Sequence, residues 1–464
     1  MADSESSSAI ASTVKKRSLG LFSMVMMLAC GLLDTDLIAS NSSAGVPIVS
    51  WWVIIGLVYM LPSALIMCEL TLAFPKDGGL YHWVAEGIGL KWATRVSWMY
   101  WACGVFLPPA SYLMASDLAF STFLPDAGPG VRIAVAIALI WIGTFVCSLP
   151  MGDSKHVFNV IGVTNIAVYL FVFLAGVFYV ATGHAPANDI SPASFVPRFD
   201  EAAIYVPIAF FCASGIELAA QSVENTADPK RDILRSALII TVMLVGLSSL
   251  GSIGVLLVQP MDELSIISGT ADIFVTGWGS RVLYTIINVQ VFVGIFAQVS
   301  SWLIAGARGI AEAAKEGEFP AVFAKETKAG LPWAAMAINA SIATLFLLAY
   351  ALFANGAEDA FYDLMGCSTI ASMAPYVLMV IAYNRLRRGK LKDYRGWKAP
   401  FGIPLSWVLQ VSQILAIMLL LYVPGQGMTE SAPSIILGSA VVMLLGEAII
   451  AWQDRKRKAG SSGE

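Results

Sequence analysis

Long apolar segments recur along the whole chain and constrain its fold more than any other feature. About 20 apolar residues in a helix cross the hydrocarbon core of a bilayer. Because every backbone polar group must be satisfied in lipid, segments of this length cross as helices. The sequence therefore predicts an all-α polytopic membrane protein with 12 transmembrane helices, at 19–43, 49–73, 93–124, 130–150, 157–181, 202–226, 234–259, 279–306, 333–353, 360–384, 404–424 and 432–453.

Composition supports this class and disfavours others. The chain is 57% hydrophobic and 13% charged, whereas soluble domains are about 45–50% apolar and about 25% charged. The formal net charge of −4 comes with no basic surface stripe, so no nucleic-acid partner is expected. The sequence shows neither a nucleophile–base set nor a cluster of metal ligands, so we expect no enzyme, metal or cofactor. The expected partners are a small substrate and the lipid bilayer.

The positions of Lys and Arg predict the orientation of the chain. Of 28 such residues, 25 fall in the two tails and the even-numbered connections, which leaves Arg132, Arg198 and Arg281 on the other side. Cytoplasmic loops carry the excess of positive charge. We therefore expect a multi-pass protein of the cell inner membrane with cytoplasmic N- and C-termini, a disordered tail over 1–18 and a basic tail over 454–464.

Two of the predicted spans are interrupted by small and polar residues. Span 1 (19–43) contains Cys30-Gly31 and then Asp34-Thr35-Asp36, and span 6 (202–226) contains Ala213-Ser214-Gly215 with Glu217 just beyond. Irregular backbone is tolerated at membrane depth only where it is buried in protein or lines a cavity. Interrupted helices at corresponding positions of two halves indicate the substrate site of a secondary transporter.

The two interrupted spans also suggest how the chain is divided. Spans 1–5 (19–181) and spans 6–10 (202–384) are equal in number, and an odd number of crossings inverts the second half relative to the first. This pattern predicts a five-plus-five inverted repeat with broken helices 1 and 6. The two remaining C-terminal spans (404–453) are expected to support the bundle or to form the contact of a homodimer.

Several connecting segments resemble one transporter family. Pro75-Lys76-Asp77-Gly78-Gly79-Leu80-Tyr81 is similar to the Pro-x-x-Gly-Gly-x-Tyr signature of the amino acid–polyamine–organocation (APC) superfamily. The sixth span and its exit are similar through Gly215-Ile216-Glu217, Glu224-Asn225 and Asp228-Pro229-Lys230-Arg231. A third similarity is Gly317-Glu318-Phe319-Pro320 with Gly330-Leu331-Pro332. Together these motifs cover the chain from about residue 20 to 385, in the order typical of the superfamily.

The resemblance implies that substrate binds at the two breaks. In the superfamily, unwound turns in spans 1 and 6 receive a carboxylate on amide N–H groups and an ammonium on freed carbonyls. This role is carried to Cys30, Gly31, Ala213, Ser214 and Gly215, with the first unwound turn expected near Cys30 to Leu32. The alternative is that each span is a kinked helix packed against small residues.

The acids near the breaks have two readings each. Intramembrane acids usually face a cavity and mark a pathway or a cationic ligand, and Asp34 is expected about one turn beyond the break, within reach of a substrate amine. Alternatively, Asp34 and Asp36 cap the second half-helix. The resemblance gives Glu217 a role in cation recognition or coupling, whereas a structural hydrogen bond is the alternative. Glu69 is a weaker candidate for the same role.

Two aromatic residues near the breaks and the lack of a lysine in span 5 also bear on function. The resemblance implies that Phe211 and Trp302 close over the substrate, although both could simply pack in the core. Some proton-coupled members carry a Lys in span 5, where this chain has Asn159, Thr164 and Asn165. This leaves exchange without a coupling ion, proton coupling through Glu217, or a sodium site, and exchange is favoured.

These observations predict a secondary active transporter that moves an amino acid or small amine by alternating access, with basic or amine substrates favoured, and that works as an exchanger. The alternative within transport is a proton- or sodium-coupled symporter. The alternative of another class is a nutrient sensor that binds its ligand without carrying it, which the lack of a soluble signalling domain disfavours.

Overall fold

The computed structural model describes residues 19–75, 79–124, 126–149, 154–199, 204–220, 223, 226–353 and 357–461. Several predicted features lie outside the described residues, in whole or in part. They include the tail over 1–18, the residues 76–78 of the Pro-x-x-Gly-Gly-x-Tyr motif, Glu224-Asn225, and the last three residues of the basic tail over 454–464.

Each of the twelve predicted segments contains helix. Eight of the described helices are each long and apolar enough to cross a membrane, and the two pieces of span 1, bent by 44°, together make a ninth. The prediction of an all-α polytopic membrane protein is confirmed. Helix bounds are Leu21–Leu32, Thr35–Leu37 and Ile38–Ser42 (span 1); Ile48–Ile55, Gly56–Met60 and Leu61–Ala73 (span 2); Leu90–Phe123 (span 3); Pro129–Ser148 (span 4); Ser154–Ala181 (span 5); Val206–Cys212 and Ile216–Leu218 (span 6); Pro229–Val258 (span 7); Arg281–Lys315 (span 8); Trp333–Phe353 (span 9); Ala357–Arg388 (span 10); Gly402–Leu421 (span 11); and Ala432–Ser461 (span 12).

Shorter elements connect the spans. Leu80–Ile88 and Gly269–Trp278 are α-helices, and Pro192–Phe195, Met261–Glu263 and Ala321–Ala324 are single 3₁₀ turns. A short antiparallel hairpin joins spans 11 and 12, and its two strands, Tyr422–Val423 and Gly427–Met428, are two residues long each. The helix Gly269–Trp278 lies against the second part of span 1, where the Ala39 amide donates to Thr270 Oγ1 at 3.1 Å.

Ion pairs gather at one end of the bundle, which we call the basic end. Arg95 in span 3 pairs with Glu447 in span 12 at 2.6 Å. Lys390 after span 10 pairs with Glu86 in the Leu80–Ile88 helix at 2.5 Å. Span 1 enters the bundle at this end, because the Ala227 amide donates to the Leu19 carbonyl at 3.0 Å, close to the basic start of span 7.

The accessory spans are attached to the bundle by specific contacts. The Trp98 indole of span 3 donates to the Val442 carbonyl of span 12 at 3.0 Å, and a Cβ on Gly446 would lie 2.3 Å from that indole. Their remaining faces expose large apolar side chains such as Trp407 and Leu444. Such faces fit lipid or a second copy of the chain, and the homodimer stays a prediction.

Candidate substrate site at the two breaks

Span 6 is interrupted where the sequence predicts it. Its first helix ends at Cys212, and the Ser214 amide donates back to the Phe211 carbonyl at 2.9 Å. Gly215 follows with φ +113°, a left-handed conformation that favours glycine. A Cβ at Gly215 would lie 3.0 Å from the Trp302 ring, so the turn also has little room for a side chain. The predicted break at Ala213 to Gly215 is confirmed.

The break of span 1 lies one turn later than expected. The helix continues through Cys30 and Gly31 to Leu32, and the Leu33 amide still donates to the Ala29 carbonyl at 2.9 Å. The chain leaves the helix at Leu33 and Asp34 instead. The predictions of an unwound turn at Cys30 to Leu32, and of Asp34 one turn beyond the break, are therefore wrong.

Packing explains what Gly31 does in place of unwinding. A Cβ at Gly31 would lie 2.9 Å from Leu218 Cδ1. Because glycine lacks that atom, the second part of span 6 can approach the first helix of span 1 closely. Gly31 thus brings the two broken spans together while its own backbone stays helical.

Side chains from other spans donate hydrogen bonds to the backbone carbonyls around the span 1 break. The Asn165 amide donates to the Leu33 carbonyl at 3.1 Å, and the Tyr169 hydroxyl donates to the Asp34 carbonyl at 3.1 Å. One turn earlier, the Trp302 indole donates to the Gly31 carbonyl at 3.2 Å. These carbonyls already have donors, so the nearby side-chain acids are better placed than the backbone to receive a cation.

Asp34 and Asp36, which we call the acid pair, are buried beside this break. They are 3% and 2% exposed, and neither belongs to any ion pair found among the described residues. No described residue gives a hydrogen bond to Asp34 Oδ1 or to Asp36 Oδ2. Asp34 makes no side-chain capping hydrogen bond, whereas the carboxyl of Asp36 lies near the amides of its own turn. The capping reading therefore applies to Asp36 and not to Asp34.

Cys212 and Asn41 connect the acid pair to span 6. The Asn41 amide lies 3.6 Å from Cys212 Sγ as a donor, and the Cys212 thiol lies within hydrogen-bonding reach of the Asp34 carboxyl. Both residues belong to the parts of spans 1 and 6 that lie away from the basic end. Sequence reasoning missed them, although Asn41 is a polar residue inside an apolar span.

Glu217 lies on the other side of the breaks, toward the basic end. It is 1% exposed, and its Oε1 accepts a 2.7 Å hydrogen bond from the Tyr100 hydroxyl. Among the described residues its Oε2 accepts no hydrogen bond of ordinary geometry, but the Tyr376 hydroxyl lies beside the carboxyl and within hydrogen-bonding reach of it. A narrow cavity of about 30 Å³ reaches Glu217 and is also lined by Gly79 and Arg308. These contacts could not be read from the sequence, because both tyrosines lie more than 100 residues away.

Aromatic rings occupy the level of the breaks. Phe211 stacks on Trp302 with ring centroids 6.1 Å apart, and Trp302 is 5.9 Å from the Tyr100 ring. Ser214 is held by Tyr59, with 2.7 Å between the two hydroxyl oxygens. Trp302 thus contacts both broken spans, through the Gly31 carbonyl and the Phe211 ring, and lies next to Tyr100, the hydrogen-bond partner of Glu217.

Glu69 is not brought to the breaks. Its Oε2 accepts hydrogen bonds from Arg387, from the Tyr383 hydroxyl at 2.8 Å and from the Ala399 amide at 2.9 Å. These partners lie at the basic end, on span 10 and the segment after it. The Glu69 carboxylate therefore holds spans 2 and 10 together.

Two adjoining broken spans in an all-helical bundle, with buried acids on both sides of the breaks, define a membrane carrier. The sequence profile of the amino acid permease family matches residues 8–445. The chain therefore belongs to the amino acid permease family, which confirms both the APC resemblance and the expectation of a transporter and not an enzyme.

Relatives with assigned transport roles cover most of the chain. A probable agmatine/putrescine antiporter of Lactococcus lactis is 25% identical over 94% of this chain and 95% of its own. A glutamate/gamma-aminobutyrate antiporter of the same species is 22% identical over 83% and 79%. The lysine-specific permease of Escherichia coli is 23% identical over 85% of both chains.

A solved structure shares the fold. The manganese transporter of Eremococcus coleocola superposes with a TM-score of 0.56 at 15% identity, over 93% of both chains. At this identity the similarity supports the architecture of a transporter and says nothing about the substrate.

Proposed function

We propose that the protein exchanges cationic amines or amino acids across the membrane and binds them at the two breaks. One observation carries this proposal: Asp34, Asp36 and Glu217 are buried beside the breaks, and each has a carboxyl oxygen that accepts no hydrogen bond of ordinary geometry from the described residues. None of the three is ion-paired among the described residues. A cationic substrate would supply the missing partner.

The cost of these acids supports a role in binding. A charged residue at the centre of a membrane-spanning helix costs about 2.5–3.5 kcal/mol on insertion scales. A buried charge is tolerated when it is paired or meets a ligand. The acids at the breaks lack a protein cation, so a positively charged ligand accounts for them better than a neutral one does.

The relatives support both the substrate class and the mode of transport. Agmatine and putrescine each carry two cationic groups at neutral pH, since aliphatic amines have pKa values near about 10. Two of the three relatives described above are antiporters. Lysine, named for the third, also carries a cationic side chain.

We also propose that transport uses the two halves, 19–181 and 202–384, as an inverted pair. The first span of each half is broken, and the two broken spans touch where Leu218 meets Gly31. Rocking of one half against the other around a site at their contact would give alternating access. The accessory spans, 404–453, would support span 3, and the basic end would face the cytoplasm, as would both termini.

The residues at the breaks take separate roles in this proposal. Gly215 provides the space and the turn, Ala213 and Ser214 shape the end of the first half of span 6, and Glu217 receives a cationic group. Phe211 and Trp302 would stack on that group, an interaction worth roughly 0.5–2 kcal/mol. Cys30 and Gly31 pack behind the site.

Counterflow tests the exchange. An exchanger changes between its inward-open and outward-open states fastest when substrate is bound in both directions of the transition. An inward substrate gradient alone therefore drives little net uptake. Liposomes preloaded with 1,4-diaminobutane should take up the labelled compound at least about tenfold faster than empty ones, at zero potential and equal pH. Lysine should give the same ratio if it is carried. Equal rates in loaded and empty liposomes would contradict exchange and favour the symporter.

A further inference from the structure

The acid pair lies in a cluster of buried hydrogen-bond acceptors that Glu217 does not share. Asp34 Oδ1, Asp36 Oδ2 and Asn41 Oδ1 find no hydrogen-bond partner in the part of the chain that the structure describes, and neither do the Thr35 and Ser40 hydroxyls. Asn41 is 3% exposed, and its amide is already directed at Cys212, so its free atom is the carbonyl oxygen. The cluster therefore offers two carboxyl groups and an amide carbonyl as acceptors, and its hydroxyls can either donate or accept.

The chemistry of the cluster selects its ligand. Ammonium and guanidinium groups carry three and five N–H donors and no acceptor, whereas a carboxylate only accepts. Two carboxyl groups as near neighbours cannot both ionise cheaply, and a cation between them removes that penalty. The acid pair would therefore bind a cationic group and repel the carboxylate of an amino acid.

We propose that the acid pair, with Asn41, forms a second cation-binding site, so that the preferred substrate carries two cationic groups. This inference rests on the proposed function, since it assigns one group of a cationic substrate to each side of the breaks. The acid pair takes the group farther from the basic end, and Glu217 takes the other.

The aromatic layer supports two sites instead of one. Cys212, which contacts the acid pair, is the last helical residue before the span 6 break, and Glu217 follows that break. Phe211, next to Cys212, stacks on Trp302, and Trp302 in turn lies 5.9 Å from the ring of Tyr100, whose hydroxyl donates to Glu217. A linear diamine or a guanidino-amine could pass its apolar chain along these rings while each end meets an acid.

The test compares two ligands that differ in one charge. Affinities of 1,4-diaminobutane and 1-aminobutane are measured on the purified full-length protein by thermal shift and by competition for counterflow. Losing a hydrogen bond to a charged group costs about 1.5–3 kcal/mol, or roughly 10- to 100-fold in affinity. The wild type should prefer the diamine by that factor. In Asp34→Asn the diamine should lose about tenfold or more, and the monoamine less than about twofold.

Matched variants protect this interpretation. Asp272→Asn makes the same chemical change in the neighbouring helix Gly269–Trp278, where Asp272 accepts from Ser268 at 2.5 Å, and it should leave the diamine preference unchanged. Asn41→Ala tests the cluster without altering an acid, and it should lower the preference for the diamine. It provides the test if Asp34→Asn fails to fold.

Distinct outcomes overturn the inference. Equal losses for both ligands in Asp34→Asn, or no loss for either, would remove the second site. A variant that keeps the diamine preference but loses a sodium or proton dependence would make the acid pair an ion site. Exchange of amines with no preference for the diamine in the wild type would overturn this inference alone, whereas no exchange of any amine would overturn the proposed function as well.

Discussion

The buried acids at the basic end of this carrier and those at the breaks have different surroundings. At the basic end, Glu69 and Glu318 are buried, but each meets an arginine, Arg387 and Arg457 respectively. At the breaks, Asp34 and Glu217 are equally buried and belong to none of the ion pairs formed by described residues. The comparison teaches that burial alone does not mark the site. The acids at the breaks are distinguished by lying next to interrupted helices while forming no ion pair among the described residues.

Helix geometry accounts for the difference. Arginines at helix ends can reach inward with their long side chains while the guanidinium stays near the aqueous boundary. Arg457 illustrates this, because its side chain is 55% exposed although Glu318, its partner at 2.5 Å, is only 5% exposed. Arg308 lines the same cavity as Glu217 but forms no ion pair with it among the described residues. We therefore propose a mobile ligand as the source of positive charge for the acids at the breaks.

The largest expected effect comes from filling the span 6 break. Gly215→Leu should abolish substrate binding, a loss of at least about 100-fold, because the side chain would enter the space beside Trp302 and Leu32 and left-handed backbone costs about 1–2 kcal/mol without glycine. Binding is measured by thermal shift with 1,4-diaminobutane, and folding by size-exclusion profile.

Gly246→Leu is the matched control, since a Cβ there meets nothing within 4 Å. This variant should bind normally. Near-normal affinity in Gly215→Leu would show that the span 6 break is not part of the substrate site. The acids at the breaks would then have no demonstrated role in binding to set against the structural acids at the basic end.

The next largest effect concerns stability at the basic end. Glu69→Gln should destabilise the protein by roughly 1.5–3 kcal/mol, because it removes the charge of a buried carboxylate that accepts hydrogen bonds from Arg387, Tyr383 and Ala399. Glu217→Gln removes no ion pair and should change the unfolding free energy by less than about 1 kcal/mol. Thermal melts of both variants without ligand measure this. A larger loss for Glu217→Gln would show that the acid at the break is the structural one.

The spans and the span 6 break could be predicted from the sequence, but the partners of the buried acids could not. The run Ala213 to Gly215 locates the span 6 break because the left-handed turn needs a glycine that is visible locally. The span 1 break is located by Asn165, which reaches the Leu33 carbonyl from 132 residues away. The Arg387 partner of Glu69 is 318 residues distant. Contacts of this range arise only when the bundle has formed.

The smallest effect we predict is on selectivity at Glu217. Glu217→Gln keeps the hydrogen bond from Tyr100, because the amide oxygen still accepts, but it removes the negative charge. Affinity for 1,4-diaminobutane and for lysine should fall about tenfold, the lower range for a charged hydrogen bond, whereas affinity for an uncharged ligand that binds should not fall. Tyr100→Phe separates the hydrogen bond from the charge and should cost only about 1 kcal/mol of binding free energy.

Counterflow across pH 5.5 to 8 adds a second measurement, since an acid that exchanges a proton during transport gives a pH dependence that glutamine cannot. Unchanged selectivity together with an unchanged pH profile would place Glu217 with Glu69 as a structural acid, and the comparison between the two regions would then depend on the acid pair alone.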